Sequence, residues 1–250
     1  MAVKKVESEI QILRVTTEVV RFTILGKTPL IMNSMSAKAR HELLMPKGRK
    51  TMADKASTLK HEPLSEYVNS MYCDKTNKDV VLYMPATAIK GAALTAALDM
   101  PSVHKSEIKR LLWINGERVP IWGTPSLYMT IVRSADMNKT PDVRTRAMIH
   151  EWVAEFECEY NTIKLRGPAV VNIFAAAGIT AGIGDFRQEK GAGNYGQFEI
   201  VEPTDPRVKA IKKAHGAKAQ LAAMAKPEAS DDESRELLEW FLAEKSARGF

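Results

Sequence analysis

Between Gly182 and Ile200 the chain reads Gly-Ile-Gly-Asp-Phe-Arg-Gln-Glu-Lys-Gly-Ala-Gly-Asn-Tyr-Gly-Gln-Phe-Glu-Ile. Glycine takes backbone conformations closed to other residues and lets a second backbone approach closely. Gly191, Gly193 and Gly196 therefore mark a place where the main chain could lie against another chain. Arg187 and Lys190 add positive charge, and clustered backbone N–H groups form concavities that hold anions. Such a stretch supports the binding of a polyanion; a glycine-rich turn without a ligand is the plain alternative. Gly191 to Gly196 also satisfies the dinucleotide pattern G-x-G-x-x-G, but that pattern works between a strand and a following helix. Here an apolar helix-like segment precedes the loop and a strand follows it, so a dinucleotide fold is excluded.

A second basic set lies at Arg133, Lys139, Arg144 and Arg146, in a stretch that is long and polar for a hairpin connection. Alternation places Arg144 and Arg146 on one side of a strand, as a phosphate track or as a solvated edge. Tyr195 is open to stacking on a base. Phe198 is assigned to the core, with Trp113, Trp122 and Trp152 as packing residues. Lys90 by itself reads as a solvated lysine near a helix end.

Catalytic chemistry finds little support. His41, His61, His104, His150 and His215 are scattered, with no H-E-x-x-H and no paired Asp-x-Asp. Asp185 either binds a metal or orients Arg187, and the second is expected. The expectation is a protein that is not an enzyme and holds neither metal nor cofactor.

Cys73 and Cys158 lack metal or redox spacing and read as reduced thiols. The N-terminus has no apolar targeting core and no run is long enough to span a bilayer, so a cytoplasmic protein without membrane contact is expected. A formal net charge of +6 over 250 residues favours a polyanionic partner.

The elements that must position these residues follow from periodicity. Residues 16–25 form a strand with Val20, Phe22 and Ile24 on one face. Residues 33–79 read as a basic insertion containing a short helix at 64–71. A strand at 80–84 leads to a helix at 87–98, with Thr87 as its N-cap, and a short helix follows at 106–114. Strands at 126–132 and 147–160 make an extended hairpin over 126–160. A buried helix at 170–180, the glycine loop and a strand at 197–201 complete a core of residues 1–202. Residues 203–250 form a helical tail, basic first and acidic later, packed on its own core or docked on a neighbour. The strand–helix–strand–strand–helix–strand order is that of an α+β, ferredoxin-like (RRM-type βαββαβ) core, with both helices on one face of an antiparallel sheet. RNA-recognition domains use the open face of such a sheet for single strands.

Three stretches carry a family resemblance. The loop Gly182-Ile-Gly184 to Gly196-Gln-Phe198 resembles the C-terminal glycine-rich loop of the RAMP superfamily. Tyr83-Met-Pro85-Ala-Thr87-Ala-Ile-Lys90-Gly91 resembles its landmark at the first helix, and Leu25-Gly-Lys-Thr-Pro29-Leu-Ile the end of its first strand. Gly184-Asp-Phe-Arg187 is similar to the loop version in phage-encoded relatives. The resemblance implies a backbone subunit of a multisubunit CRISPR effector, assembling with copies of itself and with other effector subunits along a guide RNA. A phage single-stranded DNA-binding or annealing protein, or a metal-independent RNA-processing endonuclease, are the alternatives. By the same resemblance Lys90 and Gly91 face phosphate at a helix N-terminus. Gly191, Gly193 and Gly196 then line the passing strand, and Arg187 and Lys190 pair with phosphates. Arg133, Lys139, Arg144 and Arg146 lie on a hairpin thumb that wedges between bases. RNA-cutting relatives place a histidine near the first helix, for which His104 is the nearest candidate, and an aspartate after the first strand, where none occurs before Asp54.

Overall fold

The computed structural model describes residues 14–35, 44, 59–101, 103–133, 140–190 and 193–248. Its centre is an antiparallel sheet built on β1 (Thr17–Gly26), whose Phe22 and Ile24 are buried. β1 pairs along its length with β8 (Val153–Asn161) and, at its C-terminal end, with β9 (Phe198–Val201). β8 also pairs with β4 (Leu112–Ile114) and β5 (Arg118–Trp122), and β3 (Tyr83–Pro85) pairs with β5, giving the order β3-β5-β8-β1-β9. Side chains alternate across a strand. Ala154, Phe156, Cys158 and Tyr160 of β8 accordingly point into the core, and Glu155, Glu157 and Glu159 point away.

Helices α2 (Ala86–Ala96) and α4 (Gly167–Thr180) cover the core face. Ile89, Ala92, Ala93 and Ala96 recur at helical spacing and are buried, and their small volume lets α2 lie close to α4. The rings of Phe22, Phe156 and Phe174 meet at centroid distances of 4.7–5.2 Å beneath α4. Burial of each such ring stabilises the fold by about 1.5–3 kcal/mol.

A second sheet, in the order β2-β7-β6, joins β2 (Leu30–Met32) to a long hairpin of β6 (Pro125–Arg133) and β7 (Pro141–Ile149). Chain direction changes between β7 and β8, and Trp152 fills that corner. Its ring is fully buried, its Nε1 donates to Thr28 O at 2.9 Å, and a Cβ on Gly26 would sit 2.2 Å from it. The expected single strand at 147–160 is thus the end of β7 and the whole of β8, in two different sheets. The hairpin spans Pro125–Ile149 rather than 126–160.

Other expectations are corrected in the same way. Helix α1 (Pro63–Asn69) falls inside the expected insertion at 33–79, yet its Tyr67 is fully buried and donates to Pro125 O at 3.0 Å, so this part belongs to the core. Residues 36–43 and 45–58 lie outside the described residues. Thr87 is an exposed first-turn residue of α2; the N-cap is Pro85, and Ala86 N donates to Glu117 O at 2.9 Å. The segment 106–114 is the helix α3 (Lys105–Leu111) followed by β4.

The tail packs on its own core. Asp205 caps α5 (Pro206–Ala214), whose Val208 and Ile211 bury against Leu25 and Val153 on the outer face of the central sheet. Its Lys212 pairs with Glu155 and lies 4.4 Å from the Trp122 ring centre. Lys212 and Arg207 of the tail are thus matched to Glu155 and Glu199 of its own sheet. Gln220 of α6 (Ala217–Ala225) is fully buried. Before α7 (Asp232–Ala247), Leu127 of β6 donates to Glu228 O and accepts from Ser230 N, and Ser234 Oγ accepts from Met129 N at 2.9 Å. This covers the edge of β6, which would otherwise offer unpaired groups to another strand. No helix among the described residues is long and apolar enough to cross a membrane.

Candidate nucleic-acid interface

The glycine loop folds onto itself and onto β2. Gly182, Gly184 and Gly196 take φ of 67°, 89° and 71°. Gly196 N donates to Pro29 O, Ile183 N to Gly196 O and Asp185 N to Ile31 O, at 2.8–3.0 Å. A Cβ on Gly196 would lie 1.7 Å from Ile183 O, and one on Gly193 would lie 1.6 Å from Phe186 O. At these two positions the missing side chain makes room for the loop's own backbone. Gly191 lies outside the described residues. Arg187 Nε bonds Glu189 Oε2 at 2.9 Å and its Nη1 bonds Gly184 O at 2.8 Å, so its charge braces the loop from within. Lys190 ends the short turn Gln188–Lys190; its side chain lies outside the description.

Asp185 carries the loop to the hairpin. Its Oδ2 accepts from Arg146 Nε and from Asn33 Nδ2, each at 2.9 Å. Asp185 thus orients Arg146, not Arg187 as expected. Tyr128 stands directly across from Arg146, and Thr130 across from Arg144, so all four share the face that meets the loop. Tyr195 comes from the loop to within 6.4 Å of the Tyr128 ring. Burial, followed by the Tyr128 hydroxyl, raises the Tyr195 pKa. The Arg146 side chain is 17% exposed and that of Arg144 is 47% exposed, the latter 3.2 Å from Asp142. Asp142 in turn contacts Lys60 and His61, and Lys60, then His61, hold its pKa below the usual carboxylate range against burial.

From this junction an aromatic path continues. Tyr72 OH donates to Asn33 O at 3.2 Å, the Tyr72 and Tyr83 rings lie 5.8 Å apart, and the Arg118 guanidinium lies 5.2 Å from the Tyr83 ring centre. Asp74 fixes Arg118 by a short ion pair. Sequence reasoning did not find Tyr128, Asn33, Tyr72, Tyr83 or Arg118. Tyr128 was recoverable from the hairpin register, which pairs it with Arg146. The rest come from segments far apart in the chain and leave no local signal.

Not every expected residue joins this group. Arg133 stands opposite Pro141 and faces the other side of the hairpin from Arg144 and Arg146. Lys139 lies outside the described residues. Lys90 sits in the second turn of α2 rather than at its N-terminus; its charge draws down the Cys158 thiol pKa, which burial pushes up to about 12. Gly91 beside it has nothing within 4 Å of an added Cβ. Gly91→Ala is expected to stabilise α2 by about 0.5–1 kcal/mol, read as a higher urea midpoint with an unchanged slope.

His104 is exposed at the start of α3, and Asp54 lies outside the described residues. Among the described residues no group of three or more His, Cys, Asp or Glu is gathered as metal ligands. The outer face of the central sheet, expected to be the nucleic-acid face, bears Glu155, Glu157 and Glu159, bonded to Lys212, to Arg21 and to Trp113 Nε1 respectively. α5 covers one end of that face, and two of the three glutamates are ion-paired. The hairpin face at the glycine loop presents Arg144 and Arg146, each ion-paired to an aspartate.

No protein-family model matches the chain, and no curated protein does. Solved structures similar to it include the following two. One is the type III-B Cmr-beta bound to cognate target RNA, with a TM-score of 0.40 and 14% identity over 74% of this chain. The other is Cmr6 from Pyrococcus furiosus, with a TM-score of 0.37 and 8% identity over 75% of this chain and 100% of that one. The chain spans 59% of the Cmr-beta chain it matches.

Proposed function

We propose that the chain is a non-enzymatic subunit that binds single-stranded nucleic acid, RNA by preference, and lines up with copies of itself along the strand as in a CRISPR-type effector. The skeleton β1-α2-β5-β8-α4-β9, with neighbours in the order β5-β8-β1-β9, supports a ferredoxin-like core. The observation that carries the binding is the Asp185 junction. It joins the glycine loop to the hairpin and gathers Arg144, Arg146, Tyr128 and Tyr195 on one surface. Arginine beside aromatic rings suits a strand held by phosphates and stacked bases. Assembly along the strand follows from the resemblance to backbone subunits, and the mass of complexes on strands of increasing length tests it.

Fluorescence anisotropy with a labelled single strand tests the binding. Log K is expected to fall linearly with log salt, and Arg144→Ala or Arg146→Ala to weaken all sequences alike, each lowering the slope by about 0.7. Binding that is absent, or indifferent to salt, removes the proposal. Competition between RNA and DNA of one sequence decides the sugar, since only RNA offers a 2′-OH. Preference for DNA transfers the same site to a single-stranded DNA-binding protein.

A further inference from the structure

Beyond Tyr72, at the far end of the aromatic path, a cleft of about 640 Å³ opens between the end of α1, the stretch that follows it and α6. Tyr72 and Tyr83 lie in its lining with their rings inclined at 51°. Two large apolar side chains in the same lining stand open to water, Val68 at 43% and Leu221 at 45% exposure. Single exposed apolar residues need no explanation, but two facing one concave site beside paired aromatic rings mark a ligand cavity. Asn69 and Lys75 add an amide and an ammonium group to the lining.

These features describe the occupant. The tyrosine rings offer π-faces to a planar ring, and the apolar side chains exclude a sugar or a solvated ion from that part of the cleft. The Asn69 amide can both donate to and accept from the edge of a heteroaromatic ring. Lys75 favours a negative group attached to it. A nucleobase carrying a phosphate has all of these parts. The cleft is also tied to the hairpin face, because Tyr72 bonds Asn33, Asn33 bonds Asp185 and Asp185 bonds Arg146.

We propose that this cleft is a nucleobase site, filled by one base of the strand that lies along the hairpin and the glycine loop. The inference rests on the strand-binding reading above, and it adds a place where a base rather than a phosphate is held.

The test compares a labelled single strand with an equal-length strand that lacks bases, using the full chain. Leu221→Trp fills the cleft from an exposed helix position, Tyr72→Leu removes a π-face, and Tyr72→Phe keeps the ring. Leu221→Trp and Tyr72→Leu are expected to weaken the base-bearing strand about five- to a hundredfold, leaving the baseless strand unaffected, with Tyr72→Phe close to the parent. Equal effects on both strands, or none on either, overturn the proposal. Adenosine monophosphate in a calorimetric titration separates the two readings. If the parent binds it, Leu221→Trp does not, and no strand binds, then the nucleobase site stands and the strand-binding reading falls. If neither the strand nor the mononucleotide binds, both fall.

Discussion

A Gln220→Ala variant is expected to lose about 3 kcal/mol or more of stability, with a melting temperature roughly 6–12 °C below the parent. Gln220 is fully buried, and its amide bonds five backbone groups, four of them within 3.1 Å. Oε1 accepts from Val81 N at 2.8 Å and Leu82 N at 3.1 Å, and Nε2 donates to Ile121 O at 2.8 Å and Gly123 O at 3.1 Å. Each group left unpaired in the interior costs about 1–3 kcal/mol, and water entering the space left by the side chain offsets part of that sum. Gln220→Glu keeps the shape and the acceptor, but turns an oxygen toward two carbonyls and buries a charge, so it is expected to destabilise at least as much. Thermal and urea unfolding read both variants. An unchanged melting temperature in Gln220→Ala contradicts the role of α6 as the clasp between the tail and the strands at the edge of the central sheet.

Gly196→Ala is expected to destabilise the glycine loop by at least about 2 kcal/mol, because positive φ is unfavourable for alanine and the new methyl group overlaps Ile183 O. The loop must open to admit it. Asp185 then leaves Arg146, and strand binding falls together with stability. Faster hydrogen exchange at Ile183 and Asp185 is the direct readout, alongside the unfolding free energy. The contrast with Gly91→Ala is informative, since that position has empty space around it and is expected to gain stability. If Gly196 were needed to let a nucleic acid pass, as the family resemblance implied, alanine there would weaken binding and leave the free protein's stability unchanged.

Much of the secondary structure is written in local pattern. β1, α2, α4 and β9 lie where periodicity places them, because alternation and helical spacing report which side of an element is buried, and that depends on neighbours along the chain. β5 escapes that logic. Pro120 at its centre and Gly116 just before it read as loop residues, and the strand exists because β3 and β8 take its remaining groups. The turn from β7 to β8 escapes it for another reason. Apolar triplets, Ala147–Ile149 and Trp152–Ala154, flank only His150 and Glu151, with no glycine or proline to mark a turn, and Trp152, wedged against Gly26 and Phe198, fills the change of sheet.

The candidate site divides along the same line. The residue types near it, basic side chains at Arg144 and Arg146 and a loop rich in glycine, are visible in the sequence, and so is the sign of the charge they bring. Partnership is not visible. Arg187 and Arg146 are equivalent as letters, yet Glu189 and Gly184 O hold the first inside the loop while Asp185 sets the second on the hairpin face. Whether a glycine serves its own backbone or leaves space open, as at Gly196 and Gly91, likewise depends on what the folded chain brings opposite it. Side-chain chemistry and local periodicity are properties of neighbouring residues, and the sequence states them. Contacts such as Asp185 with Asn33, or Gln220 with Val81, join residues more than a hundred positions apart, and only packing in three dimensions decides them.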